Sequence, residues 1–184
     1  MAAAHFAPYN NSSCCLLLQI IIAILFLLTP SSRGTDQGLV NQICGQFGKS
    51  PPDKVFCLAF YKQNPTSGGI KGLTKTTVMK TLVHASDTGN YILRKIRSSG
   101  NGTELQNLYK DCKTTYNSLV GQFTNAQLAI MKNDYASMKS DIRDCERSVT
   151  GCQTAMGSTD SNLATQNKQN LALVKMSIKS GSLI

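Results

Sequence analysis

Few side chains in this sequence could do chemistry. Five cysteines lie beyond residue 34: Cys44, Cys57, Cys112, Cys145 and Cys152. Thiols can bind metal, act as nucleophiles or pair as disulfides. No histidine joins them at zinc-ligand spacing, and no nucleophile elbow is present. His84, the single histidine past residue 34, falls inside a helical pattern, where a lone imidazole is structural or surface-lying. Asp141 and Asp144, three apart on a helix and flanked by Lys139, Arg143 and Arg147, make a solvated face rather than an acid–base pair. The stretches GTDQG and SGG are turn signals, and neither matches a phosphate loop. The reading is therefore a non-enzyme with no cofactor and no metal site. Disulfide pairing is the chemistry left for the cysteines.

Pairing needs an oxidising compartment, and the N-terminus supplies the route to one. Cys14 to Leu28 reads CCLLLQIIIAILFLL, with Gln19 its one strongly polar member. That suits a signal-peptide core and falls short of the roughly 20 residues a spanning helix needs. Ser32 and Gly34 fit cleavage after Gly34. The segment's only positive group ahead of its apolar run is the amino terminus, so an uncleaved anchor is the alternative. No later stretch is apolar enough to span a bilayer, so a soluble secreted chain with no membrane partner is expected. Cys14 and Cys15 leave with the signal segment, and the five remaining cysteines make two bridges and one free thiol.

Nineteen basic residues face ten acidic ones; loss of residues 1–34 removes Arg33 and leaves a net charge of +8. Such a charge favours polyanions, or simply keeps the protein in solution. The basic residues are scattered without a run of five or six, which argues against nucleic acid as a partner. An acidic extracellular polymer is the more natural polyanion. Among the Asn-x-Ser/Thr sites, Asn10 and Asn11 lie in the signal segment and Pro65 disqualifies Asn64. Asn101, in the turn-rich SSGNGT, is the candidate glycan acceptor.

The elements that must position the thiols are helices. Tyr135, Met138, Ile142, Cys145, Val149, Cys152 and Met156 step by three and four, one stripe on a continuous helix over 135–156. Asp134 can cap it, and Gly157 can end it in a left-handed conformation. Leu105, Leu108, Cys112, Tyr116, Leu119, Phe123, Gln127 and Ile130 mark a helix over 103–131, opened by a Thr103–Gln106 capping box. The tight turn at Lys132-Asn133-Asp134 makes these two antiparallel neighbours. Residues 67–98 form another helix, with Ile70, Leu73, Thr77, Val78, Leu82, Val83, Ala85, Ile92, Leu93 and Ile96 on its stripe and Gly89 weakening it. Residues 161–180, opened by Asp160 or Ser161, form the fourth, on Leu163, Leu171, Val174 and Ile178. Two shorter helices precede them, on Leu39, Val40, Ile43 and Phe47 and on Val55, Phe56, Leu58 and Ala59.

Helical hairpins pair residues equidistant from their turn. Reflecting Cys112 through a turn centred near 132.5 lands at 153, one residue from Cys152, whereas Cys145 reflects to 120. Antiparallel packing therefore selects Cys112–Cys152, a bridge worth roughly 4 kcal/mol in the chain-entropy model. Cys44 and Cys57 have their midpoint beside Ser50-Pro51-Pro52, where the prolines force the chain to bend. Their bridge staples a small hairpin too short to stand alone. The fifth thiol, Cys145, lies on the apolar stripe and reads as a buried free cysteine, a reactive or intermolecular thiol being the alternative.

LVNQIC…FCL, NLYKDCKTTY around Cys112 and NDYASMKSDIRDCERSVTGC running into Cys152 resemble the plant invertase/pectin methylesterase inhibitor family over nearly all of the chain past residue 34. The resemblance implies an all-α fold: an up-down four-helix bundle (67–184) preceded by an N-terminal α-helical hairpin (35–66), with residues 1–34 as signal peptide. It implies the same two bridges, first cysteine with second and third with fourth. It implies a partner as well, a cell-wall carbohydrate enzyme bound in a 1:1 complex that blocks the active-site cleft in the apoplast.

The turn before the third bundle helix bears on the target. Invertase inhibitors of the cell-wall type carry Pro-Lys-Phe there, and this chain has Tyr135-Ala136-Ser137 instead. Asp134-Tyr135 looks more like the pectin methylesterase inhibitors, and even more like a pollen-allergen group named as invertase inhibitors, which carries a similar DYAS. Pectin methylesterase is the favoured target, because its polymer gains carboxylates as it reacts and so attracts a basic inhibitor; association with acidic pectin is expected. Acid invertase is the alternative. A non-inhibitory secreted binding protein, a lipid carrier or pollen-surface component, is the reading from another class. Asn133, Asp134, Tyr135, Ala136 and Ser137 are the expected enzyme contacts. After Cys152 the chain runs QTAM, which places Met156 where many members have an aromatic.

Overall fold

The computed structural model describes residues 33–48 and 51–184. The proposed signal segment lies almost wholly outside them, as does the centre of the proline bend. Seven helices are described: α1 (Arg33–Gly45), α2 (Pro51–Gln63), α3 (Gly69–Ser98), α4 (Glu104–Met131), α5 (Tyr135–Ile142), α6 (Cys145–Met156) and α7 (Ser161–Ser182). No strand occurs among the described residues. The fold is all-α. Helix α3 packs on α4, α4 on α5 and α6, and α7 closes the ring against α3, α5 and α6.

Two apolar clusters form the interior. The bundle cluster gathers Val78 and Ile92 of α3, Tyr116, Leu119 and Phe123 of α4, Met138 and Ile142 of α5, Val149 and Met156 of α6, and Leu163 and Val174 of α7. Each large side chain buried here contributes about 1.5–3 kcal/mol. The second cluster joins Val40, Ile43 and Phe47 of α1 and Phe60 and Tyr61 of α2 to Leu73 of α3 and Leu173 and Met176 of α7. The hairpin thus seats on the α3–α7 face. The Tyr61 hydroxyl and Thr77 Oγ1 meet at 2.8 Å across that seam. Burial pushes the Tyr61 hydroxyl up to about 12.

The apolar periodicity misplaces part of α3 and α2. Val83 is 57% exposed and Val55 66%, although both were placed on stripes. Beside the expected Thr77, the buried face of α3 carries Thr74, Thr81 and Thr88. The hydroxyls of Thr74, Thr77, Thr81 and Thr88 donate to the carbonyls of Ile70, Leu73, Thr77 and His84, four residues back in each case. A threonine bonded this way turns its methyl outward and buries like a small apolar residue. In α4, Leu105 is exposed and Gln106 and Tyr109 are buried.

The stripe over 135–156 survives, but the single helix does not. Helix α5 ends at Ile142 and α6 begins at Cys145. Between them the Arg143 amide donates to Ser140 O at 3.4 Å and the Arg147 amide to Asp144 O at 3.2 Å, both three residues back. A locally tightened turn keeps the next side chains on the same face, so hydrophobic spacing cannot detect it. Met138, Ile142, Cys145, Val149, Cys152 and Met156 all remain buried.

End signals hold with adjustments. Thr103 Oγ1 accepts from the Gln106 amide at 3.2 Å. The reciprocal arm is displaced: Gln106 Oε1 accepts from the Gly102 amide, and Nε2 donates to Ile96 O. Asp160 caps α7 by accepting from the Leu163 amide. Gly157 has φ 53° but ψ −127°, so it ends α6 with positive φ outside the left-handed helical well.

Candidate functional site

The bundle end that carries the α4–α5 turn is built by a sharp reversal. Asn133 takes φ 58°, which asparagine tolerates better than most residues. The Asp134 amide then donates back to Ala129 O at 2.9 Å. The Asp134 carboxylate accepts from the Ser137 amide at 3.0 Å and from its hydroxyl at 2.7 Å. Those two bonds, the backbone one foremost, hold its carboxyl below the usual aspartate range. The cap locks the turn and projects Ala136 and Ser137 into solvent, with Tyr135 half-buried. Lys71 Nζ of α3 stands 5.1 Å from the centroid of the Tyr135 ring.

Beside this turn lies a recess of about 430 Å³, lined by Gly68, Lys71, Gly72, Lys75, Ile130, Met131, Asn133 and Tyr135. On its rim Met131 is 69% exposed, and Leu128, one turn earlier on α4, is 50% exposed. Sequence reading missed these two. They lie off the α4 stripe, and a large apolar side chain off a stripe is the signal that could have found them. All five expected contact residues therefore share one end of the bundle with two exposed apolar groups and the lysines of α3. The Ser137 hydroxyl and Asp134 carboxylate are joined as a helix cap, and around them the turn presents a surface that a partner can cover.

The remaining candidates sit elsewhere. Cys44 and Cys57 are bridged, with Cα atoms 5.6 Å apart, and Cys112 and Cys152 are bridged at 4.9 Å. Cys145 is free and buried, its thiol facing Gln122 Oε1 at 3.3 Å and Asp141 O at 3.6 Å. Burial, with Asp144 and Asp141 adding, pushes that thiol up to about 12, which leaves it unreactive. Asn101 is exposed in the α3–α4 connection. His84 Nε2 lies 3.0 Å from Gln169 Oε1 at the hairpin–bundle junction, beside Phe56, Phe60 and Leu173. Among the described residues no cluster of His, Cys, Asp and Glu could hold a metal, and no helix is long and apolar enough to cross a membrane.

Comparison with solved structures places this architecture beside two others. The crystal structure of mutant form A of a pectin methylesterase inhibitor from Arabidopsis superposes with a TM-score of 0.70 at 20% identity, covering 79% of this chain and 96% of that one. A pectin methylesterase inhibitor from Arabidopsis thaliana gives a TM-score of 0.60 at 19% identity, covering 83% and 97%. At that identity the likeness is one of fold. A search of curated protein sequences finds no significant match. The family model described as plant invertase/pectin methylesterase inhibitor matches residues 38–181, which span both apolar clusters, both bridges and the capped turn, and the chain belongs to that family.

Proposed function

We propose that this chain is a secreted inhibitor of pectin methylesterase that acts in the apoplast by docking the α4–α5 end of its bundle over the enzyme's cleft. The family is one of proteinaceous inhibitors of cell-wall enzymes and not of enzymes. The observation that carries the reading is the juxtaposition at this end. Exposed Leu128 and Met131 stand next to a turn that the Asp134 cap and the Asp134–Ala129 backbone bond fix in place. Exposed apolar side chains on a preformed backbone surface make anchors for a partner, because the backbone loses little conformational entropy on binding. Tyr135-Ala136-Ser137 in place of Pro-Lys-Phe argues against an inhibitor of the cell-wall invertase type, and the basic net charge suits an esterase whose polymer gains carboxylates.

The test is a side-by-side titration of the secreted protein against pectin methylesterase and acid invertase near pH 5.5. Stoichiometric loss of esterase activity with invertase untouched supports the reading. Inhibition of invertase alone reassigns the target. No inhibition of either at micromolar concentration sinks it.

A further inference from the structure

Four lysines gather at the α4–α5 end, and none of them makes an ion pair among the described residues. Lys71 and Lys75 line the recess, Lys132 stands in the turn, and Lys139 follows on α5, where its Cγ comes within 3.7 Å of a Cβ built on Gly181 of α7. The ion pairs among the described residues are made by Lys95 and Lys175, and none of these four makes one there. No acidic residue lines the recess. The one carboxylate in the turn, Asp134, accepts from the Ser137 amide and hydroxyl and keeps its charge, which acts on neighbouring Lys132 and leaves Lys71 and Lys75 as the uncompensated pair of the recess.

Lys71 and Lys75 are one helical turn apart, a rise of about 6 Å, on the same face of α3. Like charges at that spacing destabilise a helix. The separation is also within one Debye length at physiological salt, so both act on the same bound anion. From this cluster we infer that the recess binds a linear polyuronate, the unesterified galacturonate chain that hydrolysis of methyl esters leaves behind. The occupant must carry closely spaced anionic groups, to answer several lysines at once. It must also offer apolar ring faces to Met131 and Tyr135, which border the same recess. A sugar acid polymer has both, and a methyl-esterified chain keeps the rings but loses the charges.

The inference rests on the proposed inhibitory reading for one consequence. Asn133 and Tyr135 border the recess and also belong to the turn assigned to the enzyme. Polymer and enzyme are then exclusive occupants, and de-esterified product releases the inhibitor from its target.

The experiment measures binding without any enzyme, so that its failure is separate from failure of the inhibitory reading. Protein recovered from a secretory host is titrated into a fluorescently labelled unesterified galacturonate oligomer at low ionic strength, and anisotropy is followed. Wild type binds, and K71Q/K75Q binds at least tenfold more weakly. That double variant also lowers the slope of log Kd against log salt by about one to two, the counterion-release expectation for two lost contacts. R97Q/K110Q, which removes the same charge from exposed positions at the opposite end of the bundle, stays within twofold of wild type. A fully methyl-esterified oligomer binds at least tenfold more weakly than the unesterified one. Absence of binding by wild type overturns the inference, as does equal binding by K71Q/K75Q or by the esterified oligomer. If the oligomer fails to bind while K71Q/K75Q weakens inhibition of the esterase, the charge serves the enzyme's surface and the polymer has no place there.

Discussion

The Tyr109 hydroxyl of α4 donates to Asp160 Oδ2 at 2.7 Å, fifty-one positions along the chain. Tyr91 of α3 donates to the same carboxylate at 2.8 and 3.0 Å, and the Leu163 amide of α7 donates at 3.0 Å. Lys95 approaches to 3.7 Å. One buried carboxylate thus ties three helices together at the end of the bundle away from the α4–α5 turn.

Burial alone would raise the Asp160 carboxyl. The Leu163 amide, the two tyrosine hydroxyls and Lys95 outweigh it, and its pKa lies below the ordinary value. A depressed carboxyl stabilises the fold above the unfolded value of about 3.9, and that contribution fades as pH falls through the folded value. Asp160→Asn keeps a capping oxygen but loses the charge. It should cost about 1–3 kcal/mol at pH 7 by urea denaturation, from weakened charge-assisted bonds. The gap to wild type should close below about pH 3. A gap that persists undiminished at acid pH would show that packing, not charge, sets the loss.

Gly72 and Gly89 both lie inside α3, and substitution should separate them. A Cβ on Gly72 would stand 2.0 Å from Ser67 O, a backbone atom that cannot withdraw. A Cβ on Gly89 would meet Lys113 Nζ at 3.2 Å, the free end of a flexible side chain. Gly89→Ala should therefore raise stability by about 0.5–1 kcal/mol through lower unfolded-state entropy. Gly72→Ala should lower it. Thermal melts of the two variants check the sign of each.

Cys145 should be silent to thiol reagents in the native state and react as one thiol per chain in denaturant, once residues 1–34 are absent. Its burial and its raised pKa both remove the thiolate that such reagents need. Replacing both Cys112 and Cys152 by Ser should cost about 2–5 kcal/mol. Cys145→Ala should cost less than that pair. Native-state labelling of Cys145 would overturn the assignment.

Met131→Glu should leave the melting temperature within a few degrees, since the side chain is already in solvent. If the proposed docking face is right, the same change weakens inhibition at least tenfold. Leu105→Glu, exposed on α4 but at the opposite end, serves as the matched control and should leave inhibition unchanged. Equal inhibition by all three proteins would remove the α4–α5 end from the interface.

The helices and their pairing were legible because spacing, caps and reflection across the turn agree. Asp134, Thr103 and Asp160 announced helix starts, and the reflected position of Cys112 found its bridge partner. What the pattern hid was polar burial. Tyr116 donates to Asn167 Oδ1 at 2.6 Å and accepts from Asn170 Nδ2 at 3.1 Å, inside a core that hydropathy cannot see. The recess at Tyr135 was half legible. The turn was visible in sequence, but Lys71 comes from a helix sixty-four residues earlier and only the fold brings it there.

Cys44 and Cys57 follow one another along the chain, whereas the Cys112–Cys152 bridge spans Cys145; the two loops neither nest nor interlock. If the chain is secreted as proposed, entering an oxidising lumen N-terminus first, Cys44 meets its correct mate before any later thiol past residue 34 has emerged. Cys112 has no such protection. Cys145 arrives seven residues ahead of Cys152, so the first sulfur presented to it is the wrong one. Only completion of the helical register carries Cys145 out of reach, which makes the order of oxidation and coiling decisive for this half of the molecule.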